Sequence, residues 1–157
     1  MRNLVLASVS VLFLSTPSAF ASGDWILSGN TQGAVDIQTG AATNTTTYSA
    51  GIKVGHGLGS MMEFLVGFNY GKTALTSTWS LEGDLLFVFG PHNNGFVLGG
   101  FYGRDNSDVD TYGGIVGKRF AIGSQIAYDP DVRVKMSSTA GAGTHIVVTP
   151  LQFTLFL

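Results

Sequence analysis

The stretch Ile126-Ala127-Tyr128-Asp129-Pro130-Asp131-Val132-Arg133-Val134-Lys135-Met136 decides how this chain is read. Its even positions, Ile126, Tyr128, Pro130, Val132, Val134 and Met136, are apolar. Its odd positions, Ala127, Asp129, Asp131, Arg133 and Lys135, carry four charges. Successive side chains of an extended chain point to opposite faces, so a period of two makes this a strand with one oily face and one charged face. A helix, with its period near 3.6, would scatter both sets around its axis.

The same period recurs on either side. In residues 62–70 the even positions are Met62, Phe64, Val66, Phe68 and Tyr70, facing Glu63, Leu65, Gly67 and Asn69. In residues 79–89 the odd positions are Trp79, Leu81, Gly83, Leu85, Phe87 and Phe89. Opposite them lie Ser80, Glu82, Asp84, Leu86 and Val88. Residues 48–56 alternate Tyr48, Ala50, Ile52 and Val54, with Lys53 on the other side. Residues 95–104 and 111–120 are glycine-rich and leave their parity open, and residues 24–37 alternate weakly, with Asp36 on the polar side.

Turn signals separate these runs and are of two kinds. Polar, loop-like stretches occupy 39–46, 72–77, 104–110 and 137–144. Tight ones occupy 56–60, 90–94 and 118–123. The two kinds alternate along the chain. Four longer loops and three short turns predict eight strands with both ends on the short-turn side, the layout of an up-and-down barrel.

Composition narrows the setting. The chain has 157 residues, enough for one domain. It contains no cysteine, which excludes disulfides and thiolate metal sites. Only 11% of residues are charged, against roughly 25% in ordinary soluble domains. A formal net charge of -2 argues against nucleic acid as a partner, since phosphate contacts need a basic surface. The first residues read as an export leader. Arg2 precedes an apolar run over 4–14, Ser15, Thr16 and Pro17 break it, and Ala19-Phe20-Ala21 is an A-x-A cleavage site. The expected organisation is a cleaved signal peptide over 1–21 and one domain over 22–157. No later segment reaches the ~18 apolar residues that a membrane helix needs.

Period two does not by itself say whether the oily face meets lipid or a protein core. Three features favour lipid. Charges are too sparse to wet an exterior, several lie on the face opposite the oily one, and that face is rich in Gly, Ser and Ala, which suits a narrow barrel interior. The fold class expected is therefore all-β: an eight-stranded antiparallel up-and-down transmembrane β-barrel. Trp25, Tyr48, Tyr70, Trp79, Tyr112 and Phe120 fall next to loops or turns, as do Phe89 and Phe96, and are expected to form aromatic girdles at the two interfaces. The inward set comprises Lys53, Glu63, Glu82, Asp84, Asp129, Asp131, Arg133 and Lys135, with Asp36 and Arg104 as further members. Charges in a narrow interior are costly unless paired, so an ion-pair network filling the lumen is expected.

The final strand alternates Leu151, Phe153, Leu155 and Leu157 with Gln152, Thr154 and Phe156. With the leader, the two-residue period and the alternating loops and turns, this run resembles small bacterial outer-membrane β-barrel proteins, the group of OmpX-like, OmpA-transmembrane-domain-like and opacity-type barrels. In that group the last residue is usually aromatic, most often Phe, whereas this sequence has Phe156 followed by Leu157. The run 112–128 also resembles these barrels. The resemblance implies a cell outer-membrane location in a Gram-negative envelope. It implies outer-membrane lipid and lipopolysaccharide as surroundings, the outer-membrane assembly machinery as a partner reading the last strand, and a monomer. The implied roles are envelope integrity or surface interaction, with small-solute passage in some relatives.

Three other functions stay open: a narrow passive porin, a lipid A-modifying enzyme, and a soluble periplasmic ligand-binding barrel. An enzyme would need a base within reach of a nucleophile. His56 and His92 fall in or beside tight turns and read as solvated. His145 lies near Ser137 and Ser138 across a loop, but no His-x-Ser motif appears. Neither metal-ligand spacing nor a phosphate-binding glycine motif is present, so no catalytic residue, cofactor or metal is expected.

Overall fold

A computed structural model of the chain describes residues 25–36, 45–72, 77–139 and 142–157, with the side chains of 31–36 and 45–48 outside that description. The expected signal peptide, its cleavage site, the Asp36 and Tyr48 side chains and parts of the 39–46, 72–77 and 137–144 loops lie outside the described residues.

Eleven strands form one sheet. They are β1 (Trp25–Asp36), β2 (Thr45–Gly57), β3 (Met62–Lys72), β4 (Ser77–Phe89), β5 (Phe96–Asp105), β6 (Asp110–Lys118), β7 (Phe120–Ala121), β8 (Ile126–Tyr128), β9 (Asp131–Ser137), β10 (His145–Thr149) and β11 (Leu151–Phe156). Every pairing is antiparallel, in the order β10-β9-β6-β5-β4-β3-β2-β1-β11-β8-β7.

The expected count of eight is thus replaced by eleven, and the reason is local. Pro130 and Pro150 have no N–H to give to a ladder, so pairing stops beside each. Pro150–Gln152 on one side face Asp129 and Pro130 on the other, one residue more against fewer, which is a β-bulge. The third break is at Arg119. Its N–H bonds the Gly95 carbonyl at 2.8 Å, in register with Phe96↔Lys118 but one residue beyond the end of β5. The tight turn expected over 118–123 is also displaced. Strand pairing continues through Phe120 and Ala121, and the reversal falls at 122–125, closed by Ile122 N–H to Ile126 O at 2.9 Å.

Burial follows the two-residue period. In β3 the positions of Glu63, Leu65, Gly67, Asn69 and Gly71 are buried, while Phe68 and Tyr70 are exposed. In β4 Asp84, Leu86 and Val88 are buried between exposed Leu85, Phe87 and Phe89. The two glycine-rich strands now have a parity. Val97, Phe101 and Gly103 of β5 and Ile115 and Gly117 of β6 face inward, whereas Leu98, Tyr102, Tyr112 and Val116 face outward.

Two kinds of residue share the buried face. Ile26, Leu65, Leu86, Val88, Val97, Phe101 and Ile115 pack together, with Phe156 against them. Beside them lie polar and charged groups, described below. The exposed face is apolar, with Phe68, Trp79, Leu81, Leu98, Val134 and Phe153 each more than a third exposed. A water-soluble protein would put these two faces the other way round.

Candidate functional site: the inward charge clusters

The charged residues of the inward face form two clusters. The first is built around Arg133 of β9. Its guanidinium reaches Glu82 at 2.5 Å, Asp84 at 3.2 Å and Asp131 at 2.9 Å. Lys53 of β2 reaches Glu82 at 2.8 Å and bonds Asp84 as well. Asp131 and Arg133 are two apart on one strand, so the strand period places both on the same face. The Arg133 guanidinium also lies over the Phe101 ring, 5.5 Å from its centroid.

The second cluster is built around Arg119. It holds Glu63 in a two-pronged pair, Nη1 to Oε1 at 2.7 Å and Nη2 to Oε2 at 2.8 Å, while Nε donates to Asp129 at 2.9 Å. Two parallel N–H···O bonds match the guanidinium fork to the carboxylate plane. Arg119 Nη1 also donates to the His92 carbonyl at 3.0 Å, and His92 Nδ1 lies 2.7 Å from Glu63 Oε1. Thr154 of β11 donates to Asp129 at 3.0 Å. The Phe156 ring lies 5.4 Å from the Arg119 guanidinium. Both buried arginines therefore use the same design: carboxylates around the edge and an aromatic ring beneath the plane.

Of the residues anticipated from sequence, Lys53, Glu63, Asp84, Asp129, Asp131 and Arg133 are buried, and Glu82 nearly so. Lys135 is half-buried and makes no ion pair among the described residues. Arg104 does not belong to the inward set. It is exposed and pairs with Asp108 at 3.3 Å and Asp110 at 3.4 Å, because β5 turns its even positions outward. His92, expected to be solvated, is held against buried Glu63. Arg119 was missed because its position read as a turn; once pairing is extended through Phe120, it falls on the parity of Ile115 and Gly117 and faces inward.

The expected girdle residues divide. Tyr70, Trp79, Tyr112 and Phe120 are exposed, and Trp79 stacks on Phe68 with ring centroids 6.2 Å apart. Trp25 is half-buried, edge-on to His56 at 5.4 Å. In the last strand Leu151, Phe153 and Leu157 are exposed, Gln152 and Thr154 are buried, and Leu155 and Phe156 are intermediate.

No family model matches the chain, and no curated protein matches it. Among solved structures it is similar to Neisserial surface protein A, with a TM-score of 0.65 at 14% identity over 87% of this chain and 98% of that one. The chain has the fold of an outer-membrane β-barrel. A de novo designed transmembrane β-barrel also matches, with a TM-score of 0.57 at 7% identity over 86% of this chain and 96% of that one. Identities this low speak for the fold and not for a role.

A cavity of about 10 Å³ lies between the two clusters, on the scale of a single water molecule. Ser28, Lys53, Asp84, Arg119, Asp129, Asp131, Arg133 and Gln152 line it, with Leu65, Leu86, Val97 and Ile115. Among the described residues no group of three His, Cys, Asp or Glu side chains is arranged to hold a metal.

Proposed function

We propose that this protein is a small integral outer-membrane barrel with a side-chain-filled lumen and a non-enzymatic structural or surface-interaction role. The observation that carries the reading is the inversion of the two faces. Apolar side chains cover the outside, and charged side chains are paired inside. Only a lipid exterior makes that arrangement favourable, since lipid rewards apolar surface and cannot solvate charge.

In this reading the eleven strands are pieces of eight continuous staves that close on themselves. Arg119 alone separates β6 from β7, Asp129 and Pro130 separate β8 from β9, and Pro150 separates β10 from β11. The register of β6 on β9 and of β7 on β8 is the same, from Gly117↔Asp131 to Phe120↔Tyr128. β10 pairs with β9 near one end of the sheet order, while β11, one residue further on, pairs with β8 and β1 near the other. Those pairings support closure. The surroundings are outer-membrane lipid and lipopolysaccharide, and the barrel acts as a monomer that the assembly machinery reads through its last strand.

The test is expression of the full-length sequence in a Gram-negative host, followed by fractionation and electrophoresis with and without boiling. The expected result is recovery in the outer membrane and a shift in mobility on boiling. Recovery as a soluble periplasmic protein with no boiling shift would overturn the reading.

A further inference from the structure

A cation stands on the oily face with no anion beside it. Lys118 is the last residue of β6 and shares the outward parity of Tyr112 and Val116. It is half-buried and makes no ion pair among the described residues. Among those residues the other charges of this face, Lys72, Arg104 and Asp110, sit at the opposite, longer-loop ends of β3, β5 and β6. The carboxylates toward the tight-turn end, Glu63, Asp129 and Asp131, point to the other face and are already held by arginines. An ammonium on an oily surface needs an anion, and the described residues supply none here.

Its surroundings are aromatic. In the ladder Lys118 pairs with Phe96, and Phe96 pairs with Phe89. Phe120 follows two residues on, its ring centroid 5.9 Å from Lys118 Nζ. Phe89, Phe96 and Phe120 are all exposed. Tyr128 stacks on Phe120 at 6.1 Å, and Phe153 lies 5.8 Å from Tyr128. Rings gather where hydrocarbon meets headgroups, and a lysine there lays its stem on apolar surface and carries its ammonium to the headgroups. A ring face attracts a cation without neutralising it. The charge that remains matches the phosphate of a phospholipid headgroup.

We infer that Lys118, with the Phe89, Phe96 and Phe120 rings, holds one anionic glycerophospholipid at the tight-turn rim, its phosphate on the ammonium and its acyl chains along the rings. A zwitterionic lipid fits less well, because its own cation competes for the phosphate. The inference rests on the barrel reading above, which puts this face in lipid and the tight turns on the periplasmic side.

The test is native mass spectrometry of the protein purified in detergent after full-length expression, with equal amounts of phosphatidylglycerol and phosphatidylcholine of the same acyl chains. One interfacial lysine should favour phosphatidylglycerol roughly fivefold. The expected result is that preference in the natural protein and in Lys118→Arg, and its loss in Lys118→Gln. Lys72→Gln, at the other rim, should keep it. Equal retention of the two lipids by the natural protein, an undiminished preference in Lys118→Gln, or an equal loss in Lys72→Gln overturns the inference. So does a preference that inorganic phosphate abolishes and chloride at equal ionic strength does not, which marks a site for free phosphate. A boiling shift on the same samples separates the two readings. Its absence is failure of the barrel, and its presence without a lipid preference is failure of the lipid site.

Discussion

Arg119 donates to two carboxylates and to the His92 carbonyl, with its plane beside Phe156. Removing one member of such a buried set strands the others. Arg119→Met is expected to cost about 3–5 kcal/mol, because Glu63 and Asp129 would stay buried without a cation. Pairing it with Glu63→Gln tests that cause. The double variant should be more stable than the sum of the single losses predicts, by an interaction of about 0.5–3 kcal/mol in urea midpoints at constant slope. Additive losses would show that the two side chains do not act on each other. Arg104 provides the contrast. Its partners Asp108 and Asp110 share water with it, so Arg104→Ala should move stability by no more than about 0.5 kcal/mol. Position in the fold, more than residue type, sets the value of an arginine here.

At the scale of a strand, β9 shows how one element serves two solvents. Asp131 and Arg133 point to the ion-pair cluster, and Val132, Val134 and Met136 point away from it. Val134→Arg places a charge on the exposed face. If that face meets lipid, the substitution should cost about 2–4 kcal/mol when Val134 lies near the bilayer midplane, measured by refolding into vesicles. If the face meets water, the change should stay within about 0.5 kcal/mol. The neighbouring strand adds a steric limit. Gly113 of β6 lies where a Cβ would run into the Val134 carbonyl oxygen, which is backbone and cannot swing aside. Gly113→Ala should therefore disturb the β6–β9 ladder and lower the yield of the heat-shifting form, whereas Gly29→Ala, with open space around the position, should leave it unchanged. The strand breaks follow the same logic. Two of them sit at prolines, which withhold the N–H that a continuous ladder would use.

For the molecule as a whole, the question is whether anything passes through it. The inward face holds a packed group from Ile26 to Ile115 as well as the two ion-pair clusters, and the cavity between the clusters measures about 10 Å³. On the proposed closed barrel, this cavity has room for about one water and none for a hydrated solute. In planar bilayers the protein should give no steady conductance above that of lipid alone, and a reproducible open level would point to the narrow-porin alternative. The turn over 91–94 is tied to the second cluster and to the neighbouring turn. His92 is fixed to the Glu63–Arg119 pair, and the Asn93 amide donates to the Gly123 and Ser124 carbonyls at 3.2 Å.

Where the oily and polar faces differ, the strands and their two faces were legible in the residues alone, because a two-residue period is local and survives any arrangement of neighbours. From it came the oily set of Val132, Val134 and Met136, the opposing charges of Asp131 and Arg133, and the alternation of the last strand from Leu151 to Leu157. Which charges meet depends on the three-dimensional pairing of distant strands. Glu63 and Arg119 are far apart in sequence and meet because β3 and the β6–β7 segment face one lumen. That pairing also decided the parity of β5 and β6, where glycines on both faces carry no oily or polar mark and only pairing to neighbours sets Phe101 and Ile115 inward. Arg119 was illegible for a related reason. A charged residue between Lys118 and a glycine-containing stretch looks like a turn, and the register with Tyr128 and Asp131 alone turns it inward.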